Sequence, residues 1–305
     1  MKKNLFSIGA MRAGSTSLYN YLAQHPDIFI PHVKEPDFFI AEEARESLKS
    51  GVDSEEQHQR LQNLISEGKY RTRDAYESLY SGKENFKYLA DCSHYFHHPK
   101  TAALIHRYNP DAKILISLRD PTERIYSEYM LHVRRGDLVE SFSDFVEQML
   151  VKDGEGKVSI NVGSKLSKGV YPALLTPWLE YFGKDQIKIV LFDALKNDPG
   201  KICKEIYQWL EIDGTFAPEL VQTQRGGVPS SRTLMHLLAA TRLLPSSIKR
   251  KLSAPLRWKI RDFIYSRILT KERMPEDVRV ALKDIYLPSV CELEEILSWN
   301  LAQWK

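Results

Sequence analysis

The sequence predicts an α/β fold in which a central, mostly parallel sheet is flanked by helices, with a helical part at the C-terminus. Short apolar runs of strand length alternate with segments of helical periodicity. A glycine-containing loop joins the first run to the first helical segment. Because alternating strands and helices form βαβ units, these observations indicate a parallel sheet between two helical layers.

Each predicted element has its own signal in the chain. The predicted strands are residues 4–9, 87–93, 112–120 and 186–195. Residues 14–25 carry Leu18, Tyr21 and Leu22 at helical spacing. Residues 198–210 predict another helix, with an aspartate cap and a proline in the first turn.

Two polar insertions, residues 42–82 and 137–168, interrupt this alternation, and the pattern beyond residue 228 is helical. No linker rich in glycine and serine marks a boundary between domains. We therefore expect one domain over residues 1–305, with a core at about 4–240 and a basic helical part at about 230–305.

Composition describes an ordinary globular chain of 305 residues, 43% hydrophobic and 27% charged, with a net charge of +3. This charge is too small to indicate a nucleic-acid partner. The three cysteines, Cys92, Cys203 and Cys291, are widely spaced and predict a reducing compartment. The N-terminal apolar run is too short for a signal peptide, so a cytoplasmic location is expected.

Charge is concentrated in residues 232–273, which hold eleven Lys/Arg and two Asp/Glu. Within them, residues 237–269 mix basic with large apolar side chains. Three interpretations remain open: a solvated helical face, a groove for an acidic or sugar acceptor, and a peripheral surface on an anionic membrane.

The loop between the first strand and helix is P-loop-like. Gly9, Gly14 and Thr16 match the G-x-x-x-x-G-K-[ST] spacing, but Ser15 occupies the lysine position and Arg12 is the nearest cation. A helix N-terminus after a glycine turn offers N–H groups and a positive dipole end to an anion. Without the lysine, the loop favours a ligand other than a metal-bound triphosphate.

A second candidate phosphate contact follows the strand at 112–120. Arg119 lies at its carboxyl end and Ser127 lies two turns into the next helix. Ligands of open α/β sheets gather at the carboxyl ends of strands, so this pair is a candidate grip for a second phosphate. Other polar side chains here are expected to be structural or solvated: Asp120 and Glu123 at the helix start, and Arg124 in solvent.

Candidate proton-transfer groups lie in two further loops. Lys34 and Glu35 precede a proline and an aromatic pair, and a carboxylate held beside apolar rings can act as a general base. His94 follows a predicted strand and is a candidate acid, base or acceptor contact. The adjacent His97 and His98 lack a third ligand in sight, so no metal site is expected.

Taken together, the loop "GAMRAGSTSLYNYL", the segment "KEPDFF" and the pair in "LRDPTERIYSEY" resemble sulfotransferases that use 3′-phosphoadenosine 5′-phosphosulfate (PAPS). The likeness is to the heparan sulfate and bacterial carbohydrate branch. It extends over about residues 4–240, including "GVYPALLTPWLEYFGKDQIKIVLFDALKNDP" and "QRGGVPSSRTLMHLL".

The resemblance implies roles for individual residues. Glu35 is the general base, while Lys34, His32 or His94 protonates the leaving phosphate, since an arginine replaces the usual lysine of the loop. The 3′-phosphate falls on Arg119 and Ser127. The implied 5′-phosphosulfate cradle is Arg12, Ala13, Gly14, Ser15, Thr16 and Ser17, and the implied late closing loop is Arg225, Gly226 and Gly227.

The expected function is therefore sulfuryl transfer from PAPS to a hydroxyl or amine of a carbohydrate or glycolipid acceptor, without a metal. One alternative is a P-loop small-molecule kinase, which Asp193 at the end of an apolar strand would favour. Another is a non-catalytic, nucleotide-gated protein that binds membranes or polyanions, which would account for the basic segment but not for Glu35.

Overall fold

The computed structural model describes residues 5–51, 54–66, 70–135, 137–138, 140–220, 228–229, 269–270 and 273–305. Contacts divide the chain into two compact units, each described separately below. The first comprises Met1–Asp120 and Val170–Val221, and the second comprises Pro121–Gly169 and Gln222–Lys305. The expectation of a single domain stays a prediction.

The first unit is an α/β sandwich around a parallel sheet. Its strands are β1 (Leu5–Ser7), β2 (Ile28–Phe29), β3 (Tyr88–Asp91), β4 (Lys113–Leu118) and β7 (Ile187–Leu191). Its helices are α1 (Ser15–Leu22), α2 (Phe38–Ser50), α3 (Glu55–Ser66), α4 (Arg73–Ser78), α5 (Thr101–Tyr108), α8 (Tyr171–Tyr181), α9 (Phe192–Asn197) and α10 (Pro199–Trp209).

Within the described residues, the strands of this sheet follow the order β2-β3-β1-β4-β7, and every neighbouring pair is parallel. The predicted parallel sheet between helices is thereby confirmed. Because β3 and β4 flank β1 on opposite sides, the chain reverses its direction of winding beside β1. In open sheets this reversal point is where ligands bind, outside the carboxyl ends of the strands.

Burial explains why the predicted strands are strands. Leu5, Ala90, Leu115 and Val190 come from the central strands and share one buried cluster with residues of α1 and α10. Such strands are covered on both faces and read as continuous apolar runs. The short edge strand β2 has only two residues, too few for any periodicity, and the sequence did not predict it.

The second unit contains α6 (Pro121–Arg135), α7 (Phe142–Glu147), the antiparallel hairpin β5 (Leu150–Lys152) and β6 (Val158–Ile160), and α11 (Glu276–Leu297). The expectation of helix alone beyond residue 228 is wrong in one respect. Short strands β8 (Val228–Pro229) and β9 (Leu269–Thr270) pair antiparallel there.

Arg124 corrects the sequence interpretation of α6. Its side chain was expected in solvent but is fully buried, 2.7 Å from Glu128 Oε2 and donating to the Lys165 carbonyl at 2.5 Å. A charge this deeply buried is tolerated only when paired and hydrogen-bonded. Glu123, expected to be structural, pairs with Arg279 of α11.

Several sequence expectations fall on residues whose structure is not described. The closing-loop candidates Arg225, Gly226 and Gly227 lie outside the described residues, as does the basic segment 237–269. In the part of the chain that is described, none of the helices has the length and apolar character needed to cross a membrane.

Candidate active site

The P-loop-like segment, residues 9–17, is the first component of the site and is called the anion loop here. Its entry is tied to β4: the Ala10 N–H donates to the Ser117 carbonyl, and the Ser117 N–H donates to the Gly9 carbonyl, both at 2.6 Å. Beyond this point the Met11 N–H donates to His97 Nε2 at 3.0 Å. The start of the loop thereby continues the pairing of β1 with β4.

Gly14 is required at the start of α1 for two reasons. It precedes the helix in the left-handed conformation, with φ +88°, where a side chain is strained. A Cβ atom here would also lie 2.9 Å from Leu195 Cδ2 and 3.0 Å from Phe192 Cδ2. The helix start is therefore packed against α9, and its first-turn N–H groups, which have no intrahelical partner, form the end of the loop.

Lys34 supplies a cation to the anion loop, in which Ser15 occupies the lysine position of the P-loop pattern. Its ammonium donates to Thr16 Oγ1 at 2.9 Å and lies 3.0 Å from Glu35 Oε1. Because Lys34 comes from residues 32–37, called the carboxylate loop here, the cation reaches the anion loop from outside it. It joins the two loops through one charged group.

Glu35 lies between two cationic or potentially cationic groups. Its Oε1 atom is 3.0 Å from Lys34 Nζ and 3.4 Å from His94 Nδ1. The sequence interpretation placed this carboxylate beside apolar rings; Phe38 and Phe39 are buried, and that expectation stays a prediction. Two of the residues named as proton donors, Lys34 and His94, contact Glu35, whereas the third, His32, is exposed.

A chain of hydrogen bonds connects the buried Asp91 with the main chain of the carboxylate loop. Asp91, fully buried at the end of β3, accepts from Tyr76 and Tyr95 at 2.8 Å and from Ser93 Oγ at 2.7 Å. The Ser93 oxygen in turn accepts the Asp37 N–H at 3.2 Å. Burial, with Asp91 nearby, raises the pKa of both tyrosines well above the usual value, so both act as donors.

Asp37 is a titratable group that the sequence interpretation passed over. Burial raises its pKa to about 6, with repulsion from Asp91 and Glu35 adding to the rise and attraction from Arg71 and His98 opposing it. Arg71 Nη1 donates to the Asp37 carbonyl at 3.2 Å and Nη2 lies 3.6 Å from Oδ2. The Arg71 guanidinium thus contacts both the main-chain carbonyl and the carboxylate of Asp37.

Arg119 directly follows β4, as the sequence predicted, and supports the anion loop. Its Nη1 donates to the Arg12 carbonyl at 3.2 Å, and its guanidinium lies 4.6 Å from the centre of the Phe192 ring. Ser127 belongs to α6 in the second unit, so the pairing of Arg119 with Ser127 over one phosphate stays a prediction.

Asp193 does not end a strand. β7 stops at Leu191 and Asp193 lies in the first turn of α9, so its strand-end position, which favoured a kinase, is wrong. His97 Nε2 accepts from the anion loop and His98 lies 3.5 Å from Glu43. No cluster of three His, Cys, Asp or Glu side chains able to hold a metal ion occurs within the described ranges.

Comparison with known proteins identifies relatives of the chain. The Sulfotransferase family model matches residues 4–217. Carbohydrate sulfotransferase 15 of Rattus norvegicus is 23% identical over 244 residues, which cover 68% of this chain and 44% of that protein. The bifunctional heparan sulfate N-deacetylase/N-sulfotransferase 1 of Caenorhabditis briggsae is 24% identical over 214 residues, covering 68% and 22%.

The chain spans less than half the length of these two relatives. Among solved structures, a sulfotransferase from Alicyclobacillus acidocaldarius superposes with a TM-score of 0.68 at 24% identity. The superposition covers 100% of this chain and 99% of that one. At this identity the likeness shows a common fold.

Proposed function

This chain belongs to the sulfotransferase family, and from that membership we propose that it moves a sulfuryl group from PAPS to a hydroxyl or amine of a carbohydrate acceptor. The observation that carries the proposal is the bridging ammonium of Lys34, 2.9 Å from Thr16 Oγ1 and 3.0 Å from Glu35 Oε1. One cation contacts both the loop suited to a phosphate and the carboxylate suited to an acceptor proton.

The donor set fits an anionic sulfuryl donor. The anion loop combines a helix N-terminus, the Thr16 hydroxyl and Arg12 in the turn before Gly14, and the Lys34 ammonium reaches it from the carboxylate loop. PAPS supplies an activated sulfuryl group and leaves as adenosine 3′,5′-bisphosphate (PAP). Preorganised donors aimed at the charge that develops on the leaving oxygen are usually the largest contribution to catalysis.

In the proposed reaction, Glu35 removes the acceptor proton while the acceptor oxygen or nitrogen forms its bond to sulfur. The bond between sulfur and the 5′-phosphate oxygen breaks, and its electron pair stays on that oxygen. In this proposal Lys34, which contacts Thr16 of the anion loop, stabilises this oxygen or protonates it, and His94 keeps its contact with Glu35. Arg12 contributes a charge that does not transfer a proton.

A carbohydrate acceptor is proposed because the matched relatives are a carbohydrate sulfotransferase and a heparan sulfate N-sulfotransferase by name. Transfer to a hydroxyl and transfer to an amine both remain within the proposal. Use of PAPS without a metal, a cytoplasmic location and contact of residues 237–269 with an anionic membrane stay predictions.

A ligand-stability measurement tests the cofactor. PAP without Mg²⁺ is expected to raise the melting temperature, equivalent to about 2.7 kcal/mol at a ligand concentration one hundred times its dissociation constant. ATP is expected to act weakly. Equal stabilisation by Mg·ATP would favour the kinase alternative.

A transfer assay tests the reaction. ³⁵S-labelled PAPS is incubated with N-deacetylated heparosan, which offers amines, and with desulfated chondroitin, which offers hydroxyls. Label is expected in one of the polysaccharides. Glu155→Gln, an exposed position in the hairpin of the second unit, serves as a matched control for Glu35→Gln and is expected to transfer normally. PAP binding without transfer to either polysaccharide would contradict the proposed acceptor class.

A further inference from the structure

The backbone of the carboxylate loop is strained at two positions. Glu35 has φ +60° and Asp37 has φ +52°, and neither is a glycine. Left-handed non-glycine residues cost on the order of 1–3 kcal/mol each and persist only where surrounding contacts impose them. The question is which contacts impose this conformation beside the catalytic carboxylate.

Two side chains hold Asp37 by its main chain. Two residues after the end of β3, the Ser93 oxygen accepts the Asp37 N–H at 3.2 Å. From the polar insertion, Arg71 donates to the Asp37 carbonyl at 3.2 Å and places its second nitrogen 3.6 Å from Oδ2. Both peptide groups of Asp37 are therefore fixed by groups outside the loop.

The first of these holders is rigid because Asp91 orients it. Ser93 Oγ donates its proton to Asp91 Oδ1 at 2.7 Å, which leaves the Ser93 lone pairs facing the Asp37 N–H. Asp91 is fully buried and its second oxygen accepts from two tyrosines. A buried carboxylate with both oxygens satisfied specifies one arrangement of its partners.

The second holder comes from the polar insertion at residues 42–82, to which the sequence assigned no role. Arg71 lies two residues before α4, and its own carbonyl accepts from Arg45 Nη2 at 2.8 Å. Arg45 also pairs with Glu42 on α2. The insertion thus supplies Arg71 to the carboxylate loop, and Arg45 fixes the main chain of Arg71.

We propose that Asp37 is the positioning residue for Glu35, and that the chain Asp91–Ser93–Asp37, closed by Arg71, sets where the general base stands. This inference rests on the proposed function for the role of Glu35. Ser93, Asp91 and Arg71 act through Asp37 and are positioning residues, not catalytic ones. A reacting group misplaced by about 1 Å loses up to roughly 10²-fold in rate.

The decisive variant is Ser93→Ala, compared with Tyr76→Phe. Both remove one hydrogen bond from Asp91. In Tyr76→Phe, Tyr95 still donates to the same Asp91 oxygen, whereas Ser93→Ala also removes the acceptor of the Asp37 N–H. Release of PAP from PAPS is measured in the presence of N-deacetylated heparosan and desulfated chondroitin. Ser93→Ala is expected to lower kcat about 10- to 100-fold with KM for PAPS unchanged. Ser93→Thr, which keeps a hydroxyl, is expected to retain most of the wild-type kcat. Tyr76→Phe is expected to leave kcat unchanged.

A second readout does not depend on turnover. His94 Nδ1 lies 3.4 Å from Glu35 Oε1, so the imidazole resonances of His94 report the position of Glu35. They are expected to shift in Ser93→Ala and to stay in place in Tyr76→Phe, at temperatures where both variants are folded. If the wild type released no PAP, the proposed function would fail while the resonances still tested the positioning. Equal kcat values and equal His94 resonances in the two variants would overturn the inference.

Discussion

The anion loop and the carboxylate loop meet at Lys34 but obtain their shapes in different ways. The anion loop continues the sheet through main-chain bonds to β4 and packs through Gly14 against α9, and Arg119 and His97 add side-chain bonds to its turn. The carboxylate loop is held by the side chains of Ser93 and Arg71. One loop therefore depends on the sheet, while the other depends on groups whose charge and geometry single substitutions can alter.

This difference has a consequence for function. Sulfuryl transfer needs a donor site that binds a highly charged nucleotide in the same way at every turnover, and main-chain N–H groups provide it without titrating. It also needs a base that changes protonation in each cycle. We expect substitutions in the anion loop to act on nucleotide binding, and substitutions around the carboxylate loop to act on turnover.

The largest expected effect separates the two loops directly. Glu35→Gln keeps shape and hydrogen bonding but cannot accept the proton, so turnover is expected to fall roughly 10²- to 10⁴-fold with PAP affinity nearly unchanged. Arg12→Ala is expected to damage both, because in the proposed reaction its charge contacts the phosphosulfate before and during transfer. Single-turnover transfer and PAP binding measure the two quantities.

Arg12→Lys is the matched control and is expected to retain substantial activity, since it keeps the positive charge. Near-normal turnover in Glu35→Gln would exclude Glu35 as the base and direct attention to His94, 3.4 Å away.

Gly14→Ala tests whether the anion loop depends on backbone and packing. The left-handed φ costs about 1–2 kcal/mol for a residue with a side chain, and the contact with Leu195 and Phe192 adds about 1–3 kcal/mol of overpacking. Gly82→Ala is the control, because Gly82 has φ +71° but no atom within 4 Å of an added Cβ. Chemical denaturation measures both, and equal losses would show that packing against α9 contributes nothing.

The sequence predicted the anion loop from local rules, and it named Lys34 and Glu35 of the carboxylate loop without the contacts that hold that loop. Gly9, Gly14 and Thr16 have a fixed spacing beside an apolar strand, so the anion loop was readable. Arg71 lies 34 residues from Asp37, within an insertion whose pattern indicates only polar helix. Sequence periodicity does not indicate that Asp37 is left-handed or that distant side chains bond to its main chain. These contacts can be identified only in the folded structure.

The error at Arg124 is of another kind. Glu128 follows it by one helical turn, a spacing at which an arginine and a glutamate pair, so the ion pair itself was readable. The complete burial of that pair was not, because it depends on the Lys165 carbonyl from a loop 41 residues away.

Asp37→Asn tests whether the ionised Asp37 lowers the free energy of unfolding while it positions Glu35. The pKa of Asp37 is raised to about 6 from an ordinary 3.8, so the ionised form costs stability. The contribution of this carboxyl is fully present below pH 3.8 and is lost as pH rises through 6, about 3 kcal/mol in total. Relative to the wild type, the variant is expected to gain stability between pH 4 and 7.

Turnover of Asp37→Asn is expected to move in the opposite direction, because the amide replaces the carboxylate that faces Arg71. Urea denaturation at several pH values, with kcat measured at pH 7, gives both. Arg71, Asp91, Glu35 and His98 face this carboxyl and are present in both proteins, so the difference isolates Asp37. A stability difference that is flat with pH would contradict the raised pKa.

The smallest expected effect concerns a side chain that contacts the turn of the anion loop. His97 Nε2 accepts the Met11 N–H, and His97→Ala removes this acceptor next to Arg12, which has φ +66°. A single hydrogen bond is worth about 1 kcal/mol, so PAP affinity is expected to fall about fivefold with kcat unchanged. His98→Ala, which loses a contact with Glu43 instead, is the control for removing an imidazole. Calorimetric titration with PAP distinguishes the two. If His97→Ala lowered kcat and left the affinity intact, the anion loop would be acting on turnover, and the separation between the two loops would not hold.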